Sequence, residues 1–184
     1  MKKVLRSDIV DYQTYNQTRD SIRSAALRLK EPRRIHVGPH LTFLFENTET
    51  IRYQIQEMMR TEQIVREADI LHEIETYNEV LGDSKELGCT LLIEIENPID
   101  RDLKLTKWRD LPKHLYMVNK EGVKIRPSVD SRQSGDRRLS SVQYLKFQLP
   151  ASTPVALGCD FSEYQYETPL SGDQKQALAA DLSS

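Results

Sequence analysis

The sequence has few of the residues that mark secreted proteins and metal-cluster proteins. It contains only two cysteines, Cys89 and Cys159, each in an apolar, strand-like stretch, and it has no Cys-x-x-Cys pair. Two isolated thiols of this kind are more often small buried hydrophobic residues than a disulfide. An iron–sulfur cluster or a zinc ribbon held by this chain alone is therefore not expected. A redox pair remains an alternative, because neighbouring strands would bring the two thiols together.

Long apolar runs and an excess of charge of one sign are also missing. No apolar run approaches the roughly 18–20 residues of a membrane helix. Arg6 and Asp8 interrupt the basic N-terminus before the apolar core of a signal peptide could form. The net charge is −2, whereas a dedicated nucleic-acid-binding protein needs a clear excess of Lys and Arg on one face. We therefore expect a cytoplasmic protein that binds neither a membrane nor a nucleic acid.

The hydrophobic pattern changes from helical to strand-like along the chain, and the length suits a single α+β domain over residues 1–184. Helices are predicted at 8–30, 48–66, 68–79, about 98–108 and 174–181, and strands at 41–45, 89–96, 114–118, 123–129, 142–149, 155–161 and 164–168. Helices followed by strands, without β-α-β alternation, predict N-terminal helices packed on a mostly antiparallel β-sheet, with a C-terminal helix.

A metal site is the first functional hypothesis, and it centres on His36 and His40. In an extended strand these residues would lie ~13 Å apart, whereas ligands of one metal must lie within ~3–4 Å of each other. Gly38-Pro39 could fold the chain back and bring the histidines together. Further donors could come from Glu46, Glu57, His72 and His114. The candidate metal set is His36, His40 and Glu57; the alternative is a structural turn with local hydrogen bonds.

A second hypothesis concerns the polar face of the helix at 48–66. Glu57 could be a buried carboxylate with a raised pKa, as a general acid or base requires. The alternatives are a salt bridge to Arg33 or Arg34, or an ordinary solvated face. These two arginines are also candidates for ligand binding.

A third hypothesis concerns an arginine-rich stretch, which is either an exposed loop or a site for an acidic partner or a phosphate. Its members are Arg126, Arg132, Arg137 and Arg138. A ferritin-like di-iron site is rejected, because Asp69-Ile70-Leu71-His72 is the single near-match to the paired Glu-x-x-His motifs that such a site needs. The sequence contains no phosphate loop, GxGxxG, GxSxG or HExxH motif.

The segment Val37–Asn47, followed by Gln54–Met58, resembles a bacterial family of uncharacterised proteins classed as a domain of unknown function. The resemblance continues through 91–95, 141–145 and 179–182 and covers essentially the whole chain. It implies a gene neighbourhood with rubrerythrin and an iron–sulfur oxidoreductase, and so a role near peroxide defence or electron transfer. The family has no assigned reaction, so no catalytic residue is carried over and the cofactor remains unknown.

Two functional hypotheses follow from the sequence and from this resemblance. The first is a non-catalytic accessory protein that partners the rubrerythrin or iron–sulfur system under peroxide or redox stress. A homodimer, formed by strands near the C-terminus pairing across a twofold axis, would be compatible with that role. The alternative is a metal- or redox-linked enzyme with a site near His40 and Glu57.

Overall fold

The computed structural model describes residues 1–129, 137–149 and 153–184. In these residues the chain forms helices, short 3₁₀ turns and two antiparallel sheets, which confirms the predicted α+β class. The elements are α1 Tyr12–Lys30, β1 Arg34–Val37, β2 Leu41–Phe45, α2 Thr48–Thr61, α3 Glu67–Asn78, β3 Glu86–Ile93, α4 Pro98–Lys107, β4 Leu115–Asn119, β5 Lys124–Ile125, β6 Ser128–Val129, β7 Val142–Gln148, β8 Pro154–Phe161, β9 Tyr164–Pro169 and α5 Gly172–Ser183.

The strands form two sheets where the sequence predicted one. The first has the order β1-β2-β3-β7-β6 and the second has the order β5-β4-β8-β9. The predicted strand at 123–129 is divided into β5 and β6, which belong to different sheets. Pro127 lies between them, and a proline cannot donate a hydrogen bond to a strand ladder. The chain therefore passes from one sheet to the other at this point.

The opposite edges of the two sheets are joined by side chains of β9. The Tyr164 hydroxyl donates to the carbonyl of Val37 at 2.7 Å, and the Thr168 hydroxyl donates to the carbonyl of His36 at 2.8 Å. These bonds satisfy carbonyl groups on the outer edge of β1. The end of β1, next to the hairpin loop, is thereby fixed against the second sheet.

Two apolar clusters stabilise the fold. The larger lies between the sheets and includes Phe43, Leu91, Phe147 and Leu157, all essentially inaccessible to water. The smaller joins the N-terminal segment to α2 and α3 through residues such as Ile55. Burying a side chain of this size stabilises a protein by about 1.5–3 kcal/mol. In the described part of the chain, no helix is both long enough and apolar enough to cross a membrane.

Helix boundaries differ from the predicted ones where local caps act. The first helix begins at Tyr12 rather than at residue 8, because the Asp11 side chain accepts hydrogen bonds from two backbone N–H groups of the first turn. The second begins at Thr48, as predicted, with Asn47 as its N-cap. It ends at Thr61 rather than at Arg66, and Gln63 then adopts a left-handed conformation with φ 54°.

Candidate functional site

Gly38 and Pro39 fold the chain back, as the metal hypothesis required. Strands β1 and β2 are antiparallel, with Val37 opposite Leu41, so residues 38–40 form the loop of a hairpin. No cis peptide bond occurs in the described residues. Gly38 has φ +62°, and a Cβ at this position would lie 2.6 Å from the Tyr164 hydroxyl oxygen and 2.6 Å from the ring of Tyr166. The loop therefore needs glycine for its conformation and for its packing.

Tyr164 holds this loop closed. Its hydroxyl accepts a hydrogen bond from the backbone N–H of His40 at 2.9 Å and donates to the carbonyl of Val37 at 2.7 Å. The side chain is buried, and burial raises the pKa of Tyr164 to about 12. A neutral hydroxyl that both accepts and donates thus connects the two ends of the loop.

The loop places the His40 ring between a backbone carbonyl and a lysine. His40 Nδ1 lies 3.2 Å from the carbonyl oxygen of Glu94, and His40 Nε2 lies 3.0 Å from Lys104 Nζ. A carbonyl can only accept and an ammonium can only donate, so both contacts are hydrogen bonds in the tautomer that carries its proton on Nδ1. His40 is therefore oriented by two partners from distant parts of the chain.

Aromatic rings surround the same position. The ring centroid of His40 lies 5.9 Å from that of Trp108 and 6.1 Å from that of Tyr164, and Tyr164 lies 4.7 Å from Tyr166. A cavity of about 380 Å³ opens beside them. We call it the His40 cavity; its walls are formed by Pro39, His40, Asp100, Leu103, Lys104, Lys107, Trp108, Glu163, Tyr164 and Tyr166. The β1–β2 loop, α4 and the start of β9 thus build one concave surface.

His36 lies on the same hairpin and reaches a carboxylate indirectly. The hydroxyl of Thr42 donates to a carboxylate oxygen of Glu94, so its oxygen accepts from His36 Nδ1 at 2.9 Å. Glu94 also donates its backbone N–H to the carbonyl of His40 at 2.7 Å. Glu94 therefore contacts both histidines, but its carboxylate reaches only His36, through Thr42, whereas its backbone contacts His40.

Glu57, the carboxylate proposed from the sequence as a metal ligand or as an acid or base, lies instead in a contact between α1 and α2. It accepts two hydrogen bonds at 2.8 Å from the guanidinium of Arg19 and one at 2.6 Å from the hydroxyl of Tyr15. The Arg19 bonds hold the pKa of Glu57 below its ordinary value, so the predicted raised pKa is wrong. The predicted salt bridge to Arg33 or Arg34 is replaced by this bidentate pair, which joins α1 to α2.

The candidate metal set is not assembled. The described residues contain no group of three or more His, Cys, Asp or Glu side chains placed to hold a metal ion. His36, His40 and Glu57 all lie within those residues, so they do not form one site. The physical reason is that Glu57 faces α1, whereas the two histidines face Thr42, Glu94 and Lys104.

The two adjacent arginines have different surroundings. Arg33 is buried and donates to both carboxylate oxygens of Asp181 at 2.8 and 2.9 Å, and to the carbonyl of Leu29 at 2.6 Å. This geometry engages each nitrogen of its guanidinium, so a ligand would have to displace Asp181. Arg34 is exposed, and its carbonyl accepts from Gln174. A ligand-binding role of Arg34 stays a prediction.

The two thiols are free and buried, and they lie in different sheets. Cys89 is on β3 and Cys159 on β8. Burial raises the pKa of Cys89 well above its ordinary value and the pKa of Cys159 to about 11. A reactive thiol is accessible and has a lowered pKa, so neither thiol has the surroundings of a redox centre.

The arginine-rich stretch is described only in part. Arg126 forms a bidentate ion pair with Asp160 at 3.0 and 2.7 Å, and this pair lowers the pKa of Asp160 to about 2. Arg138 pairs with Asp102, and Arg137 is exposed. Arg132 lies outside the described residues. Arg126 and Arg138 thus form ion pairs with other residues of the protein surface.

Lys104, Trp108, Tyr164 and Tyr166 complete the site, and sequence reasoning missed them. Trp108 lies in the helix predicted at about 98–108, and both tyrosines lie in the strand predicted at 164–168, but these element predictions give the three residues no functional role. The available signal was that Trp108 is the single tryptophan of the chain and lies four residues after a lysine. A larger cavity of about 600 Å³ lies between α3, β6 and β7, and no residue nominated from the sequence lines it.

The fold is that of an α+β protein with two antiparallel sheets and a glycine-containing hairpin loop. The chain belongs to the family described as protein of unknown function (DUF3501), whose model matches residues 3–182. The fold is similar to a crystal structure of a novel protein of unknown function from Burkholderia pseudomallei K96243, with 26% sequence identity and a TM-score of 0.91. That match covers 98% of this chain and 100% of the other. A comparison with curated proteins found no match.

Proposed function

We propose that the protein is a non-catalytic accessory protein that acts with a rubrerythrin or an iron–sulfur oxidoreductase in peroxide or redox stress. The proposal that the protein is non-catalytic rests on one observation. The candidate reactive side chains are either buried or already paired with other side chains of the fold. Glu57 is paired with Arg19, Arg33 is paired with Asp181, and both thiols are buried. The class of partner comes from the family resemblance of the sequence.

The alternative is a metal- or redox-linked enzyme that uses His40 and Glu57 together. Only His40 favours this alternative, because its ring lines a cavity. An enzyme of this kind would need another acid or base in place of Glu57, whose two carboxylate oxygens are held by Arg19. We therefore favour the accessory role.

Reconstitution with purified proteins tests the proposal. The protein is mixed with the rubrerythrin and the iron–sulfur oxidoreductase of its own organism, and complex formation is measured by light scattering and calorimetry. The mass of the protein alone tests the homodimer that accompanies this proposal. We expect a complex with one of the two partners, and faster peroxide reduction by the partner system when the protein is present.

The same assay run without the partners separates the two candidates. An accessory protein consumes no peroxide when it is alone with an electron donor. Peroxide turnover by the isolated protein that disappears in His40→Ala would establish the enzyme instead. Absence of any complex and of any effect on the partner system would overturn the accessory role.

A further inference from the structure

We propose that the His40 cavity binds a small carboxylate carried on a flat aromatic ring. This inference goes beyond the accessory role, because it concerns a small-molecule site and holds whether or not a protein partner is found. The cavity of about 380 Å³ falls in the range of ~300–1,000 Å³ in which ligand pockets occur. Three separate segments of the chain contribute its walls, and Tyr164 bonds fix the loop among them.

The exposed Tyr166 ring, which extends the buried aromatic row of the cavity, favours a ligand with a flat ring. Trp108 and Tyr164 lie 5.2 Å apart between centroids, and Tyr166 continues the row at 4.7 Å from Tyr164. Trp108 and Tyr164 are buried, whereas Tyr166 is 45% exposed. Leu103, on the neighbouring turn of α4, is 57% exposed. Tyr166 and Leu103 thus leave apolar surface exposed beside the cavity, which favours a ligand that covers it, and offset aromatic contacts add about 0.5–1.5 kcal/mol to such a contact.

The ammonium group of Lys104 in the cavity wall favours a negatively charged ligand. Its ammonium donates one hydrogen bond to His40 and lies 5.7 Å from the Trp108 ring centroid. Lys107 is the second lysine in the cavity wall. Among the described residues, neither lysine forms an ion pair within 4.0 Å. The Lys104 ammonium beside the Trp108 ring is a donor for a carboxylate, and charge-assisted hydrogen bonds of this kind are the stronger ones.

The two carboxylates of the cavity do not reverse this preference. Asp100 and Glu163 are both exposed, as Lys107 is, so water screens these three charges. Lys104 is half-buried and touches the ring of His40, so its charge lies deeper than theirs. The Lys104 ammonium, which lies near the Trp108 ring, would repel a ligand with a cationic ring. The cavity is therefore suited to an aromatic anion rather than to an aromatic cation.

The single tryptophan gives a site-specific readout. Trp108 is the only tryptophan in the sequence, so the ¹H–¹⁵N spectrum contains one indole N–H signal from the cavity wall. Benzoate, benzamide and benzamidine are titrated separately into the full-length protein; they share the ring and differ in charge. We expect benzoate to shift the indole signal with saturation, and benzamide and benzamidine to bind at least about tenfold more weakly.

Variants then locate the site. Lys104→Met removes the deeper ammonium with little change in length, and Tyr166→Ala removes the exposed ring. Each is expected to weaken benzoate binding about tenfold, whereas Lys2→Met, which removes an exposed lysine of the N-terminal segment, leaves it unchanged. The proposal is overturned if benzoate causes no saturable shift, if benzamidine binds as tightly as benzoate, or if Lys2→Met weakens binding as much as Lys104→Met. Because no partner protein is present, this outcome is independent of the accessory role.

Discussion

Gly38 is the residue on which closure of the hairpin loop depends. Gly38→Ala would place a methyl group within 2.6 Å of atoms of Tyr164 and Tyr166, and it would force alanine to φ +62°. We expect the free energy of unfolding to fall by about 1–3 kcal/mol, as for strained backbone positions. Chemical denaturation followed by circular dichroism measures this change.

Gly122 provides the matched control for that substitution. It also has a positive φ, +79°, but a Cβ there meets no atom within 4 Å. Gly122→Ala therefore carries the conformational cost without the steric clash. A loss of stability in Gly38→Ala no larger than in Gly122→Ala would show that Tyr164 and Tyr166 do not pack against the loop as described.

Glu46 gives the fold a dependence on pH. It is 7% exposed, one of its carboxylate oxygens has no hydrogen-bond partner among the described residues, and burial raises the pKa of Glu46 above its ordinary value of 4.5. The folded protein therefore holds this proton more tightly than the unfolded chain does. The resulting stabilisation is complete below about pH 4.5 and is lost as the pH rises through the folded pKa.

The variant Glu46→Gln removes this titration, so it isolates the contribution of Glu46. We expect the stability of the wild type relative to Glu46→Gln to decrease as the pH is raised from 4.5 to 8. Denaturation midpoints of both proteins over this range provide the measurement. If the denaturation midpoints of the two proteins changed with pH in the same way, the raised pKa of Glu46 would be contradicted.

At the scale of secondary structure, α5 is fixed to the rest of the chain by Arg33 and Asp181. Arg33→Met leaves the carboxylate of Asp181 buried without its main partner, and breaking a buried pair in this way costs about 3–5 kcal/mol. We expect a loss of stability of this size by chemical denaturation. The adjacent Arg34→Met should have little effect, because Arg34 is exposed and its hydrogen bond to Gln174 uses only its backbone carbonyl.

A double substitution tests the same contact from the other side. Asp181→Leu combined with Arg33→Met removes both charges, so much of the lost stability should return relative to Arg33→Met alone. Equal effects of Arg33→Met and Arg34→Met would contradict the pairing. The comparison is informative because both arginines were equivalent candidates in the sequence.

Local signals in the sequence predicted most elements but not their partners. Asn47 as a cap and the return of the chain at Gly38-Pro39 were predictable, because both depend on neighbouring residues. The contacts that complete the site were not. Lys104 is 64 residues from His40 along the chain and Tyr164 is 124 residues away. Residues at such separations meet only through the tertiary fold, so the pairing of Glu57 with Arg19 was missed for the same reason.

For the molecule as a whole, the packing between the sheets should protect both thiols. Cys89 and Cys159 have exposures of 0% and 1%, so a thiol reagent such as dithionitrobenzoate reaches them only when the protein opens. In native protein at pH 8 we expect reaction over hours or longer, and in denaturant we expect two thiols to react at once. Rapid reaction of one thiol in the native protein would revive the redox hypothesis.

The central claim is that the hairpin at His40 builds a binding cavity rather than a metal centre. The most direct measurement is the metal content of the native protein and of His40→Ala, purified without chelators or affinity metals and analysed by mass spectrometry. The account predicts less than stoichiometric iron, zinc and manganese in both proteins. One metal ion per chain in the native protein, lost in His40→Ala, would contradict it.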